Sequence, residues 1–274
     1  MAKCPQCGNE LSYVEQYKQW YCYTCQKYQQ PAPETGAAPP PPPAGGAQNL
    51  DYEVKHSPSF SVLIFKLQMG QKITAESGAM MYMHPSIQID THGRKGGLLK
   101  GIMTSALGGE SFFVNTFTAT TGPGELGLVG PTMGDIKEID LSRSGGMILQ
   151  SGAYLASEPH VNLDTKWQGL KGFLSERDIV MLHASGAGRV WVTSFGGIIE
   201  KDLQPGETIS VDTGHLVAFA DNMPFNIRRV GGWKATLLSG EGLVADITGP
   251  GKILMQTRTI PSFAAVLARY IPSS

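Results

Sequence analysis

A strand, a tight glycine turn and a return strand recur three times in this chain, and that repeat constrains the fold more than any other feature. The last copy spans residues 240–256, where Leu243, Ala245 and Ile247 alternate with Val244 and Asp246, the period of two of a half-buried strand. Gly249-Pro250-Gly251 interrupts the run and Ile253-Leu254-Met255 resumes it. Glycine admits positive φ and proline fixes its own, so the tripeptide turns the chain sharply. Upstream, residues 112–117 enter Thr121-Gly122-Pro123-Gly124 before Leu126-Gly127-Leu128-Val129, and residues 178–183 enter Ser185-Gly186-Ala187-Gly188 before Val190-Trp191-Val192. The three turns read as closing three β-hairpins, an internal repeat.

A second repeated element lies between them. Residues 70–78 lead through Gly78 into Ala79-Met80-Met81-Tyr82-Met83, residues 147–152 through Gly152 into Ala153-Tyr154-Leu155-Ala156, and residues 206–214 through Gly214 into His215-Leu216-Val217-Ala218-Phe219. Each is followed by an alternating segment, carried by Ile87/Ile89, Val161/Leu163 and Phe225/Ile227. Corners of this kind pass a chain between two facing sheets. Residues 51–274 are therefore expected to form an all-β body of three units, wound as a β-sandwich or short double-stranded β-helix. The 34 glycines and the 16% of charged residues suit such a body. Helix is expected at 98–107, and again at 262–271, where Phe263, Val266, Leu267, Tyr270 and Ile271 share a face, Ser262 supplies a cap and Pro272 a stop.

All four cysteines fall in the first 25 residues, as Cys4-Pro5-Gln6-Cys7 and Cys22-Tyr23-Thr24-Cys25. Two thiolates three residues apart chelate one ion from a tight turn, and two such turns supply the four sulfurs of a tetrahedral Zn2+ site. Residues 1–30 thus resemble a zinc ribbon. Four cysteines leave no open coordination position, so one structural zinc is expected rather than a catalytic one; a redox dithiol is the competing reading. Gly8 lets the first knuckle bend, and Gln26 takes the corresponding place in the second. Tyr13, Val14, Tyr17, Trp20 and Tyr21 are strand formers able to cover a site too small to own a core. Trp20, Tyr21 and Tyr23 also offer stacking faces to a nucleic acid, a reading ranked below packing.

Residues 31–50 follow as a linker, with five consecutive prolines at 39–43 and a single charge, Glu34, before Gln48. Such a segment is extended and spans up to roughly 60 Å. A spacer is the simplest role; docking of a proline-binding partner is the alternative. The formal net charge of −1 gives no global field toward nucleic acid. No apolar run reaches the ~20 residues of a membrane helix, and the N-terminus lacks a signal-peptide pattern. A body without cysteines points to a reducing compartment, the cytoplasm.

Several motifs together carry a resemblance: Glu76-Ser77-Gly78-Ala79-Met80, Gly109-Glu110-Ser111-Phe112-Phe113, Pro205-Gly206-Glu207 with Val211-Asp212-Thr213-Gly214-His215-Leu216, and Gly240-Glu241-Gly242-Leu243 with Gly249-Pro250-Gly251 and Gln256-Thr257-Arg258. Over roughly residues 51 to 272 the chain resembles the mitochondrial biogenesis family named for altered inheritance of mitochondria. The resemblance implies a fold similar to the tryptophan RNA-binding attenuation protein (TRAP-like), assembled as a homotrimer into a pseudo-symmetric ring. It also implies, for mitochondrial members, association with the inner membrane. It brings no catalytic residues.

The residues themselves offer little catalytic chemistry. A cupin-type metal site needs convergent histidines, usually with a His-x-His pair, and the six histidines are scattered without one. His215 has alanines, Ala79 and Ala153, at the matching positions; His183 reads as a hydrogen-bonded strand residue, and His84 and His92 as exposed. Residues 122–127 match G-x-G-x-x-G but enter a strand and contain Pro123, so the dinucleotide context is absent. Glu76, Glu110, Glu207 and Glu241 flank glycines, where capping of turns is the simplest role. Lys95 and Lys100 beside Leu98, Leu99, Ile102, Met103 and Leu107 give a short cationic amphipathic segment suited to a membrane periphery or a partner. Met80, Met81 and Met83 read as core or interface filler. The expectation is a non-enzymatic homo-oligomeric scaffold that recruits a protein partner through its ribbon or linker. Nucleic-acid binding through the ribbon is the second reading, and a cupin-type enzyme the third.

Overall fold

The structure, a computed structural model, describes residues 4, 7, 9–14, 19–29, 49–90, 114–168, 180–229 and 243–271. The proline run, the 98–107 segment with Lys95 and Lys100, and His92, Glu110 and Glu241 lie outside the described residues. The chain divides into two units, Met1–Gly45 and Gly46–Ser274.

The first unit holds a three-stranded antiparallel sheet in the order β1 (Ser12–Val14), β2 (Gln19–Cys22), β3 (Lys27–Gln29). The second is all-β with a short C-terminal helix. After β4 (Asp51–Lys55) its strands fall into three sets of six. The first set is β5 (Val62–Leu67), β6 (Lys72–Glu76), β7 (Met80–Met83), β8 (Ile87–Asp90), β9 (Val114–Ala119) and β10 (Gly124–Val129). The second is β11 (Ile136–Asp140), β12 (Met147–Gln150), β13 (Tyr154–Ser157), β14 (Val161–Gln168), β15 (Val180–Gly186) and β16 (Arg189–Thr193). The third is β17 (Ile198–Leu203), β18 (Thr208–Asp212), β19 (Leu216–Ala220), β20 (Phe225–Arg229), β21 (Leu243–Thr248) and β22 (Gly251–Gln256).

Pairing within each set is the same. The sixth strand lies between the first and third, and the fifth between the second and fourth, so each set contributes to two facing sheets. Neighbouring sets fuse where the second strand of one pairs with the third strand of the next, β6 with β13 and β12 with β19. In the sheet that spans the first two sets, β11-β16-β13-β6-β9-β8, the central strands β13 and β16 are buried on both faces. Along β16, Val190 and Val192 enter one core and Trp191 the other, as the alternation of a pleated strand requires.

The expected corners are present: β6 to β7, β12 to β13 and β18 to β19 each carry the chain from one sheet to another. The three expected hairpins are not. β9 and β10, β15 and β16, and β21 and β22 belong to different sheets, so the glycine turns between them are corners as well. The physical reason lies in where the apolar faces point. Phe117 of β9 and Leu126 and Leu128 of β10 enter one core, and Ile247 of β21 and Ile253 of β22 enter the other. Strands whose apolar faces meet stack across a core, and in each case both edges of the fifth and sixth strands are taken by other partners.

The connections between sets stack on one another. Ser61 N–H donates to the Gly134 carbonyl (3.0 Å), Gly196 N–H to the Met133 carbonyl (2.9 Å) and Thr257 N–H to the Gly197 carbonyl (3.1 Å). Asp135 ties the stack, accepting from Ser57 (2.7 Å) and Ser61 (3.2 Å). The approach is close enough to demand glycine: a Cβ on Gly134 would sit 1.8 Å from the Ser194 carbonyl oxygen.

The C-terminal helix runs Ile260–Ala268, two residues earlier than the sequence suggests, with Thr259 as its cap accepting from Ser262 N–H at 3.3 Å. Pro261 falls in the first turn, where its missing N–H is no loss, so proline marks an entry here instead of a barrier. Its apolar residues remain exposed, apart from an edge-on contact of Phe263 with Phe195 at 5.4 Å between centroids. No helix among the described residues is long and apolar enough to cross a membrane.

Candidate metal centre

The four cysteines come together. Cys22 ends β2, the chain turns through Tyr23 to Gln26, and the Cys25 N–H points back at Cys22 Sγ (3.4 Å). The first knuckle is closed by Cys4 N–H donating to the Asn9 carbonyl (2.8 Å). Asn9 Nδ2 then donates to Thr24 Oγ1 (3.0 Å), which joins the two knuckles. Cys4 and Cys22 are buried with Leu11, and Trp20 and Cys25 pack against them. The four sulfurs lie within 4.8 Å of one another, with Cys7 and Cys22 3.5 Å apart. A tetrahedral zinc with bonds of about 2.3 Å sets its sulfurs about 3.8 Å apart, so the donor set fits a metal ion.

The electrostatics show why such a cluster wants a cation. The Cys25 N–H, with smaller help from Cys7 and Cys4, brings the Cys22 thiol down to about 7. Cys25 is pushed up to about 12, first by the Cys7 thiol and then by desolvation. Four crowded sulfurs cannot all shed their protons unaided, whereas a bound dication holds coordinating thiols deprotonated.

Gln26 has φ +51°, the left-handed region, which costs a side-chain-bearing residue about 1–2 kcal/mol. Gln26→Gly is expected to remove that strain and, after glycine's larger entropy loss, to tighten metal binding by up to about fivefold, equivalent to about 1 kcal/mol. Competition against a chromogenic chelator measures it; unchanged or weaker binding would show that the second knuckle is not strained.

The aromatics differ in burial. Trp20 packs on the cysteines, while Tyr23 is 69% exposed, its ring edge-on to Tyr21 at 5.1 Å.

Beyond the cysteine unit, residues 52–258 match the family described as mitochondrial biogenesis AIM24. The chain belongs to this family. An uncharacterised protein of Streptococcus pyogenes serotype M6 is 28% identical over 230 residues, spanning 81% of this chain and 92% of the relative. A crystal structure of a Streptococcus pyogenes protein superposes with a TM-score of 0.69 at 26% identity, covering 81% of this chain and all of that one. The AIM24 match begins within β4 and ends at 258, so the cysteine unit lies outside it.

Within the AIM24 body the polar side chains named from sequence serve the architecture. His215 Nδ1 lies 2.6 Å from the Gln256 carbonyl, while the Gln256 side chain donates to the Gly214 carbonyl (2.8 Å) and accepts from Phe195 N–H (2.8 Å). His183 pairs with Asp221 at 2.9 Å, and His84 is exposed, 2.8 Å from Ser86. Glu207 caps its turn, accepting from Gln204 N–H (3.0 Å) and Lys201 (2.7 Å), and these partners hold its carboxyl below the usual range, the lysine first. Residues 122–127 enter β10, a strand. Among the described residues the four cysteines are the one group placed to hold a metal.

Sequence reasoning missed one polar cluster. Glu158 is 1% exposed and accepts from the Arg189 backbone N–H (2.9 Å), Nε (3.1 Å) and Nη2 (2.8 Å). The Arg189 guanidinium lies over the rings of Tyr52 (5.3 Å) and Trp191 (5.6 Å). The Tyr52 hydroxyl donates to Glu138, and burial followed by that carboxylate raises it to about 12. No local pattern marks this cluster, because its members come from four separate strands and turns.

Proposed function

We propose that this AIM24 chain is a non-enzymatic, homo-oligomeric scaffold whose N-terminal ribbon, built on one structural zinc, recruits a protein partner from the end of a proline tether. The observation that carries the reading is the repeated body. Its sets of strands are joined edge to edge by backbone hydrogen bonds, and its polar side chains hold corners and connections together. A homotrimeric, TRAP-like ring is the assembly implied by the family resemblance, and the cytoplasm is the compartment that suits metal-held thiols. Tyr23, exposed beside the second knuckle, is the kind of aromatic side chain that anchors protein interfaces. The same exposed ring supports the second reading, in which the ribbon stacks on a nucleic acid.

Native mass spectrometry of the full-length protein tests the proposal. The expected species is a trimer carrying one zinc per chain. A monomer, or a nucleotide, lipid or second metal retained stoichiometrically by the body, would overturn it. Salt-sensitive RNA or DNA binding that is lost on Cys22→Ser would replace it with the second reading.

A further inference from the structure

We infer that β7 of one copy pairs with β18 of the next, head to tail, in a register that the chain itself specifies. The inference rests on the homo-oligomeric reading above and names the surfaces that would build it.

The rule comes from the two joints inside the chain. The second strand of the first set receives the third strand of the second, and the second strand of the second set receives the third strand of the third. Applied once more, the rule leaves two halves of a joint without each other. β18, the second strand of the last set, and β7, the third strand of the first, each end a sheet, and among the described residues neither has a strand on its outer side.

The register follows from the glycine within each corner: Gly78, Gly152 and Gly214. The residue three before it, Ala75 or Leu149, lies opposite the residue four after the next glycine, Ala156 or Ala218. The two internal joints use the same pairing. Counted from Gly214 and Gly78, the third joint sets Val211 opposite Tyr82 of the partner copy. Ser210 then falls opposite Met83, as Thr74 does opposite Ser157 and Ile148 opposite Phe219. Ile209 falls opposite His84, as Met147 does opposite Ala220.

Burial shows that β7 is built to be covered. Its counterparts β13 and β19 are buried along their whole length, whereas Met80 and Met81 of β7 are 40% and 57% exposed. Large exposed apolar side chains in the described body occur in the outer sets and the connections, and none lies between Ile136 and Thr193, in the set covered on both sides. Free sheet edges are normally blunted by lysine, proline or inward charge. β7 reads Met-Met-Tyr-Met, and the one charge of β18, Asp212, caps Gly214 N–H at 2.9 Å. The C-terminal helix adds to the surface: Thr259, its cap, packs against Gly214 at the end of β18. Head-to-tail contacts of this kind close a ring or extend a filament.

Cysteine pairs in the full-length, zinc-loaded protein test the register. Adjacent pairs alternate between the hydrogen-bonded and the closer non-hydrogen-bonded type, so Met83→Cys/Ser210→Cys and His84→Cys/Ile209→Cys are both made. Met83→Cys/Thr208→Cys, displaced by two residues and about 7–8 Å across, is the control. On mild oxidation at least one matched pair is expected to convert the monomer band on a non-reducing gel to linked oligomers. Peptide mapping should place the disulfide between positions 83 and 210 or 84 and 209. Chains mixed from single variants should link too, which makes the bond intermolecular. Equal linking in the displaced control would overturn the register. An oligomer by native mass spectrometry with neither matched link would overturn the joint and leave the oligomeric reading standing; a monomer would overturn both.

Discussion

Stripping the metal with a strong chelator, or replacing Cys22 by serine, is expected to unfold the β1–β3 sheet and leave the thermal transition of the body where it was. The described apolar core of the first unit is Cys4, Leu11 and Cys22, with Trp20 and Cys25 against it, and three of those five side chains are ligands. Burying a leucine-sized side chain contributes about 1.5–3 kcal/mol, far short of the conformational entropy of ordering some twenty residues at about 1–2 kcal/mol each. Structural zinc supplies about 10–16 kcal/mol in comparable peptides, so metal binding and folding of this unit should be one event. Serine at position 22 removes a buried thiolate ligand, a loss no neighbour can replace. The body has no cysteine and its own two cores. Two-dimensional NMR of labelled protein provides the test: the resonances of residues 4–29 should collapse on chelation while those of the strands from β4 onward keep their shifts. A ribbon that stays dispersed without metal would show that its aromatic cover, not the ion, holds it.

What the sequence made legible, and what it did not, divides along a physical line. The cysteine cluster was readable because the donor atom and the paired spacing over-determine one another: four sulfurs at those positions converge within 4.8 Å and have few other arrangements. The strand segments and their corners were readable because alternation and glycine act locally. Gly78, Gly152 and Gly214 hold the same place in each set, a left-handed turn at Gly78 and a 3-10 turn at the other two, and the strands on either side change sheet as expected. Pairing was not readable. A glycine turn between two half-buried strands is compatible with a hairpin and with a corner, and the choice depends on which edges other strands have already occupied. At Gly122-Pro123-Gly124 those occupants are β6 and β8 on one side, β5 and β7 on the other, and nothing near residue 122 encodes them. The helix start shows the opposite error. Ser262 is a good cap in isolation, but Thr259 with Pro261 in the first turn is better placed, because it is also the residue packed on Gly214. Glu158 and Arg189 are 31 residues apart and meet only because β13 and β16 pair.

That pair carries the second large effect. Glu158→Ala is expected to destabilise the body by about 3–5 kcal/mol, the cost of leaving one member of a buried ion pair without the other. For a domain of this size the loss corresponds to a fall in Tm on the order of 10 °C. Arg189 opens β16 directly after the corner at Gly186 and Gly188, and Glu158 sits directly after β13, so the carboxylate that holds the guanidinium also holds the corner through the Arg189 backbone N–H. Without it the guanidinium keeps the rings of Tyr52 and Trp191 and the weaker pull of the Glu138 carboxylate, none of which replaces the lost paired hydrogen bonds. Glu158→Gln keeps the shape and one acceptor oxygen, and should cost roughly half as much. The decisive variant is the double change Glu158→Leu/Arg189→Met, which removes both charges and fills their volume, and should recover most of the loss. If it is no better than Glu158→Ala, the damage comes from the corner's lost backbone acceptor and not from the orphaned charge. If Glu158→Ala itself melts with the wild type, solvent reaches Arg189 freely and the pair contributes nothing to the body.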